Sequence, residues 1–142
     1  GADGQYRELL YYPVGQSKNL EIAGTEDANI IMKGNEVFKV AVKTLGAIAE
    51  EALTKAGVSK EELDWLVPHQ ANIRIIQAMA KRLAMPMEKV ILTVQDHGNT
   101  SAASVPMALD VGIRDGRVKK GQLVLMEAFG GGFTWGSVLM RL

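Results

Sequence analysis

Leu63-Asp64-Trp65-Leu66-Val67-Pro68-His69-Gln70-Ala71-Asn72 joins an apolar run of strand length, a proline that stops it and the polar entry to a helix. Pro68 fixes its own φ and disfavours helix at Val67, so the strand predicted over Leu63–Val67 ends there. From Ala71 to Ala84 the residues Ile75, Ile76, Met79 and Leu83 recur at helical steps. A strand that ends in a polar island and feeds a helix is the repeating unit of layered α/β folds, which keep their chemistry at strand ends.

The same arrangement recurs downstream. Val90-Ile91-Leu92-Thr93-Val94 is rich in β-branched residues and predicts a strand. The island His97-Gly98-Asn99-Thr100-Ser101 follows, and then a helix over Ser101–Arg114 with Pro106 in its early turns. Upstream, Val37, Phe38, Ala41, Leu45, Ile48, Ala49 and Ala52 predict a long helix stopped by Gly57. Ser59 and Glu62 have the spacing of a capping box. Leu9–Tyr12 reads as a short strand stopped by Pro13. Residues 15–31, with Gly15, Ser17, Asn19, Gly24, Asp27 and Asn29, read as a mobile surface loop. Strands over Gln122–Ala128 and Phe133–Arg141, joined by Gly130-Gly131-Gly132, close the chain as an antiparallel pair. The expected class is therefore α/β: one domain over residues 1–142, a layered sheet with helices packed against it and no internal repeat.

Composition narrows the function. The chain has 142 residues, 47% apolar and 23% charged, which are globular values. Lys plus Arg and Asp plus Glu are equal at 16 each, so no global field selects nucleic acid or an anionic membrane. No apolar run approaches the roughly 20 residues of a membrane span. The absence of cysteine excludes disulfides, thiolate metal sites and a cysteine nucleophile within these residues, and fits a cytoplasmic location. Two histidines 28 positions apart offer no compact metal-ligand spacing, so no metal is expected. The first residues, Gly1-Ala2-Asp3-Gly4, carry no initiator Met and no basic–apolar signal pattern, which suggests an internal piece of a longer chain.

The islands hold the candidate chemistry. His69 stands just before a helix, whose N–H groups disfavour an imidazolium. A neutral ring there can donate to a developing oxyanion or accept a proton; alternatively it caps the helix or satisfies a buried carbonyl. Asn99, beside Gly98, can donate to an oxyanion without titrating, or can simply make a turn or cap. His97 reads as loop structure. Ala102, Ala103 and Ser104 are small enough for tight packing of their helix. The glycine run either turns the chain or lets a backbone N–H approach a ligand as half an oxyanion hole. It lacks the following Lys-Ser/Thr of a phosphate loop. Arg74 and Lys81 share a face of the second helix with Arg82 beside it, and Lys39 and Lys43 lie similarly on the first. They form either a solvated face or a patch for an acidic partner.

Leu63–Asn72, His97–Ser104, Glu127–Gly136 and Asn35–Ala41 together resemble β-ketoacyl-acyl-carrier-protein synthase III, in its C-terminal half. The resemblance covers nearly the whole chain and weakens over residues 13–30. It implies a thiolase-like fold of two similar layered halves, of which this chain is the second, and a homodimer in the intact enzyme. It implies an acyltransferase that initiates type II fatty acid synthesis. A cysteine takes an acyl group, commonly acetyl, from acyl-CoA; malonyl-acyl-carrier protein then loses CO2 and its carbanion attacks the thioester. No cofactor is implied, acyl-CoA being a substrate.

By that resemblance His69 and Asn99 are two members of a Cys-His-Asn triad, and the N–H of Gly131 completes an oxyanion hole. Met32, Gly34, Phe38, Ala71, Asn72 and Phe129 match positions that line or shape the substrate channel. Lys39, Arg74, Lys81 and Arg82 match the surface that receives the acidic carrier protein. The cysteine belongs to the N-terminal half, so this chain alone is expected to be inert and to expose apolar surface and sheet edges where that half belongs. The alternatives are a related thiolase-like condensing enzyme and a non-catalytic module that binds acyl-CoA or carrier protein.

Overall fold

The fold is that of a computed structural model, which describes residues 1–13 and 29–142. Three strands make its main sheet: β3 (Trp65–Pro68), β4 (Leu123–Gly130) and β5 (Thr134–Arg141), in the order β3-β4-β5. β3 runs parallel to β4, with Leu66 opposite Leu125 and Pro68 opposite Glu127. β4 runs antiparallel to β5, from Leu123 opposite Arg141 to Gly130 opposite Thr134. A separate two-stranded ribbon pairs β1 (Leu10–Tyr11) with β2 (Ile31–Met32).

Strand alternation divides the core between the two faces of the main sheet. Leu66, Leu123 and Leu125 point to one face, where α1 (Gly34–Ala56) and α2 (Ile73–Arg82) cover them. α1 buries Val37, Ala41, Leu45, Ala49 and Leu53, a four-residue rhythm that gives one apolar stripe. It ends at Gly57, whose φ of 66° is the left-handed conformation that glycine adopts freely. The capping box is formed: the Ser59 N–H donates to Glu62 Oε2 at 2.8 Å. On the other face Val67 and Val124 pack with Ile91, Val118 and Ala108 of α4 (Ser104–Arg114). A Cβ at Gly112 would lie 2.8 Å from Val118 Cγ2, so glycine is what lets α4 sit this close.

Several boundaries differ from the sequence expectations. Leu9 closes a 3-10 helix over Gly4–Leu9, and the first strand is only Leu10–Tyr11, outside the main sheet. The strand expected over Val90–Val94 is reduced to one parallel bridge, Val90 to Leu66, with the Ile91 N–H on Leu66 O at 2.9 Å. The backbone N–H groups of Thr93 and Val94 turn instead to the Gln70 side chain, and Val94–His97 forms a single helical turn, α3. α2 begins at Ile73 rather than Ala71, because Asn72 Oδ1 caps it by accepting the Ile75 N–H at 3.0 Å. Ser101–Ala103 is a 3-10 turn ahead of α4. Phe133 belongs to the β4–β5 turn, not to β5.

Of the loop expected at residues 15–31, positions 15–28 lie outside the described residues, and Ile31 is paired in β2. The sheet edges are less bare than expected. Val90 bridges to β3, and Ala2 forms an antiparallel bridge to Thr134 of β5.

Candidate active site

His69 follows Pro68 at the end of β3, where its backbone N–H donates to Glu127 O at 2.7 Å. That bond continues the parallel pairing one residue beyond the strand and fixes where the imidazole leaves the sheet. The ring is partly buried, and burial holds its pKa below the ordinary value. The ring is therefore neutral at pH 7.

Its tautomer follows from its partner. His69 Nδ1 lies 2.5 Å from Ser104 Oγ, the first residue of α4 and itself buried. Ser104 Oγ also accepts the Gln70 N–H at 3.2 Å. Among the described residues the Ser104 hydroxyl proton has no acceptor other than Nδ1, and when it is donated there the ring proton sits on Nε2. His69 thus keeps a neutral N–H donor on the side away from Ser104.

Asn99 lies on an exposed turn after α3. Gly98, with φ 65° and ψ −158°, lets the chain reverse there. Asn99 Oδ1 accepts the Ser101 N–H at 2.9 Å, and Ser101 has a left-handed φ of 54°. The turn-forming and donor readings of Asn99 are therefore compatible. The oxygen makes the turn, and the two N–H groups of the same amide remain available as donors.

Gly131 lies in the β4–β5 turn, and its carbonyl accepts the Thr134 hydroxyl at 3.2 Å. The turn is held by Phe133, fully buried between Tyr6 (ring centroids 5.4 Å apart) and Phe129 (4.6 Å). Asp3 exchanges both backbone hydrogen bonds with Phe133 at 2.8 Å. The positive φ that demands glycine is at Gly132, at 136°, not at Gly131.

One cavity of about 890 Å³ gathers these groups. His69, Asn99 and Gly131 line it, together with all six of Met32, Gly34, Phe38, Ala71, Asn72 and Phe129. Arg74 lines it too, with its guanidinium carbon 5.4 Å from the centre of the Phe38 ring, a cation–π distance. Lys39, Lys81 and Arg82 are exposed outside it. Arg82 leans over α1, where Gly46 leaves room, and its Nη2 lies 3.5 Å from Glu50 Oε1. A second cavity, of about 370 Å³, is also lined by His69 and extends along Ala128, Trp135 and Gly136. His69 borders both. Ala102 and Ala103, expected to pack tightly, are exposed; Ser104 is the buried member of that trio. No three or more His, Asp or Glu side chains among the described residues are grouped to hold a metal.

Sequence reasoning missed three buried polar residues: Ser104, Gln70 and Glu127. Gln70 and Ser104 stand inside the quoted motifs, but nothing in residue type or spacing marks a side chain as buried and bonded. Glu127 is 2% exposed, neither carboxyl oxygen has a protein hydrogen-bond partner, and burial pushes its pKa up to about 8.

Residues 53–142 match the family 3-oxoacyl-[acyl-carrier-protein (ACP)] synthase III C terminal. The chain is 60% identical over 140 residues to a β-ketoacyl-[acyl-carrier-protein] synthase III of Thioalkalivibrio sulfidiphilus and to one of Alkalilimnicola ehrlichii. Each match covers 99% of this chain, but only 44% and 43% of the relative. The crystal structure of 3-oxoacyl-[acyl-carrier-protein] synthase III from Aquifex aeolicus superposes on all of this chain with a TM-score of 0.88 and 47% identity, using 42% of its own length. The chain spans well under half the length of these proteins, in their thiolase-like fold, and it belongs to the C-terminal family of the 3-oxoacyl-acyl-carrier-protein synthases III.

Proposed function

We propose that this chain supplies the enolate-stabilising half of a decarboxylative condensing site, within a β-ketoacyl-acyl-carrier-protein synthase III. The observation that carries this reading is the single cavity in which His69, Asn99 and Gly131 meet the residues matched to the family's substrate channel. An acyl group from acyl-CoA, commonly acetyl, is first taken by a cysteine of the N-terminal half, displacing CoA. The Gly131 N–H and the cysteine's own N–H stabilise the oxyanion of that transfer.

Malonyl-acyl-carrier protein then enters by its pantetheine arm. The bond between its C2 and its carboxylate breaks, CO2 leaves, and the electron pair passes into the thioester as an enolate. Its oxygen takes up the new charge. His69 Nε2–H and the Asn99 amide are two neutral donors, and neutral donors strengthen as that charge develops. Neither has to exchange a proton, so the enolate is not quenched before its carbon attacks the acyl-cysteine. The carbon–sulfur bond to the cysteine breaks, and the product is a 3-ketoacyl-acyl-carrier protein.

Lys39, Arg74, Lys81 and Arg82 form the surface for the acidic carrier protein. Arg74 is the strongest candidate, since it reaches the cavity itself. Arg82 is partly engaged by Glu50. The N-terminal half packs against the α4 side of the sheet, the intact enzyme is a cytoplasmic homodimer, and the reaction uses no cofactor. No helix among the described residues is long and apolar enough to cross a membrane.

The test is CO2 release from malonyl-carrier protein by the complete enzyme containing this chain. His69→Ala and Asn99→Ala are each expected to slow it by roughly a hundredfold or more, the scale of losing one oxyanion donor. Transfer of acetyl from acetyl-CoA to the cysteine should persist. Wild-type CO2 release in either variant would sink the reading.

A further inference from the structure

We propose that Gln70 is a positioning residue for this condensation: its buried carboxamide locks the strand end that carries His69 to the segment that carries Asn99, and so sets the spacing of the two enolate donors. The inference rests on the roles given to His69 and Asn99 under Proposed function.

Gln70 has no solvent exposure. Its Nε2 donates to Pro68 O at 2.8 Å and to Ile91 O at 3.1 Å. Its Oε1 accepts from Thr93 N at 2.9 Å and from Val94 N at 3.1 Å. All four hydrogen-bonding positions of a primary amide are filled. The orientation is fixed as well, because a flipped amide would set NH2 against two N–H donors and oxygen against two carbonyls.

The four partners lie on both sides of the site. Pro68 immediately precedes His69. Ile91, Thr93 and Val94 lead into α3, whose single turn is closed by the His97 N–H on Thr93 O at 2.9 Å and the Gly98 N–H on Val94 O at 3.0 Å. Asn99 is the next residue. The backbone of Gln70 adds a third tie, its N–H reaching the Ser104 hydroxyl that holds His69 Nδ1. One side chain thus spans the path from the His69 strand to the Asn99 turn. A mainly apolar sheet edge would have joined these segments by a backbone ladder, which here stops after a single bridge.

Each part of the amide is needed. Methionine has similar length and no polar atoms, so Gln70→Met leaves two carbonyls and two N–H groups without their partner. Gln70→Glu keeps the acceptor for Thr93 and Val94. When ionised it turns an oxygen toward the Pro68 and Ile91 carbonyls; when protonated it restores one of the two donors.

The experiment measures two half-reactions separately in the complete enzyme: acetyl transfer from acetyl-CoA to the cysteine, and CO2 release from malonyl-carrier protein. Gln70→Met, Gln70→Glu and His69→Ala are compared with wild type from pH 5.5 to 8.5. In Gln70→Met, CO2 release should fall on the order of tenfold to a hundredfold, the effect of misplacing a reacting geometry by about an ångström. Acetyl transfer should stay within about twofold, since its oxyanion hole lies at the β4–β5 turn.

Gln70→Glu should show the same loss at pH 8.5 and recover relative to wild type as pH falls. That pH signature decides the matter even if Gln70→Met does not fold. Parallel loss of both half-reactions in Gln70→Glu at every pH would overturn the proposal and make Gln70 a general scaffold residue. So would unchanged CO2 release in Gln70→Glu while His69→Ala loses it. Full CO2 release in His69→Ala would instead remove the underlying reading.

Discussion

Glu127 is the residue whose environment fits its chemistry least. By strand alternation its carboxyl points to the same side of β4 as Leu125 and Phe129, with no protein partner for either oxygen. Unfolded, the group ionises near 4.5; folded, it holds its proton to about 8. The folded state therefore binds the extra proton between these values, and its stability falls as pH rises through that window. The stability is fully present below about 4.5 and the loss is complete above about 8, where it amounts to roughly 5 kcal/mol. Replacing Glu127 by Gln removes this dependence. Urea unfolding should show Glu127→Gln gaining on wild type steadily from pH 4.5 to pH 8.5. A difference that stays constant over that range would mean that the carboxyl ionises normally.

His69 and Asn99 were legible in the sequence as candidates because polar islands between apolar runs are visible there. What was not legible is why they are held as they are. The neutral state of His69 comes from burial, and its tautomer from Ser104, a residue 35 positions away that sequence reading treats only as small.

At the scale of elements, α2 carries a testable imperfection. It ends with the Ala84 N–H on Lys81 O at 3.1 Å and the Met85 N–H on Ala80 O at 2.9 Å, the paired bonds of a Schellman motif. The position that must be left-handed is Ala84, with a φ of 53°, where glycine is the preferred residue. A left-handed alanine costs about 1–2 kcal/mol, and the flexibility that glycine adds to the unfolded chain offsets part of that. Ala84→Gly is therefore expected to stabilise the fold by about 1 kcal/mol, read as a rise in Tm of a few degrees. A fall in Tm would mean that the methyl group contributes packing that outweighs the backbone cost.

Elements with a strong period were foreseen: α1, its Gly57 stop, the capping box and the β4–β5 hairpin. The failure at Val90–Val94 is instructive. β-branched residues favour a strand locally, but a strand also needs a ladder of partners. Gln70 takes the N–H groups of Thr93 and Val94 that a ladder would have used. Leu9–Tyr12 fails differently: its apolar residues serve a 3-10 helix and a short ribbon beside the β4–β5 turn.

At the scale of the molecule, the three-stranded sheet is covered unequally. α1 and α2 bury one face through a large core, while the α4 face has a smaller one. Ile113 on α4 and Val138 on β5 are 45% and 54% exposed. Val138 alternates with Leu139, which packs against the α1–α2 core, so Val138 faces the α4 side. The smaller cavity, along Ala128, Trp135 and Gly136, is bordered by His69 and by Ser101 and Ala102 just ahead of α4. On the proposed function, the cysteine of the N-terminal half approaches from there, while the pantetheine arm uses the larger cavity. The half-fold was legible because its motifs are ordered and specific. The partial covering of the sheet edges by Val90 and Ala2 was not, since single bridges leave no period in the sequence.

The central claim is that an active site is divided between this chain and a cysteine-bearing half. It is tested most directly by assaying 3-ketoacyl-carrier-protein formation from acetyl-CoA and malonyl-carrier protein, with this chain alone and with the purified N-terminal half added. The account predicts no product from the chain alone and product when the two halves associate. Product from the chain alone, or a folded complex of the two halves that makes none, would contradict it.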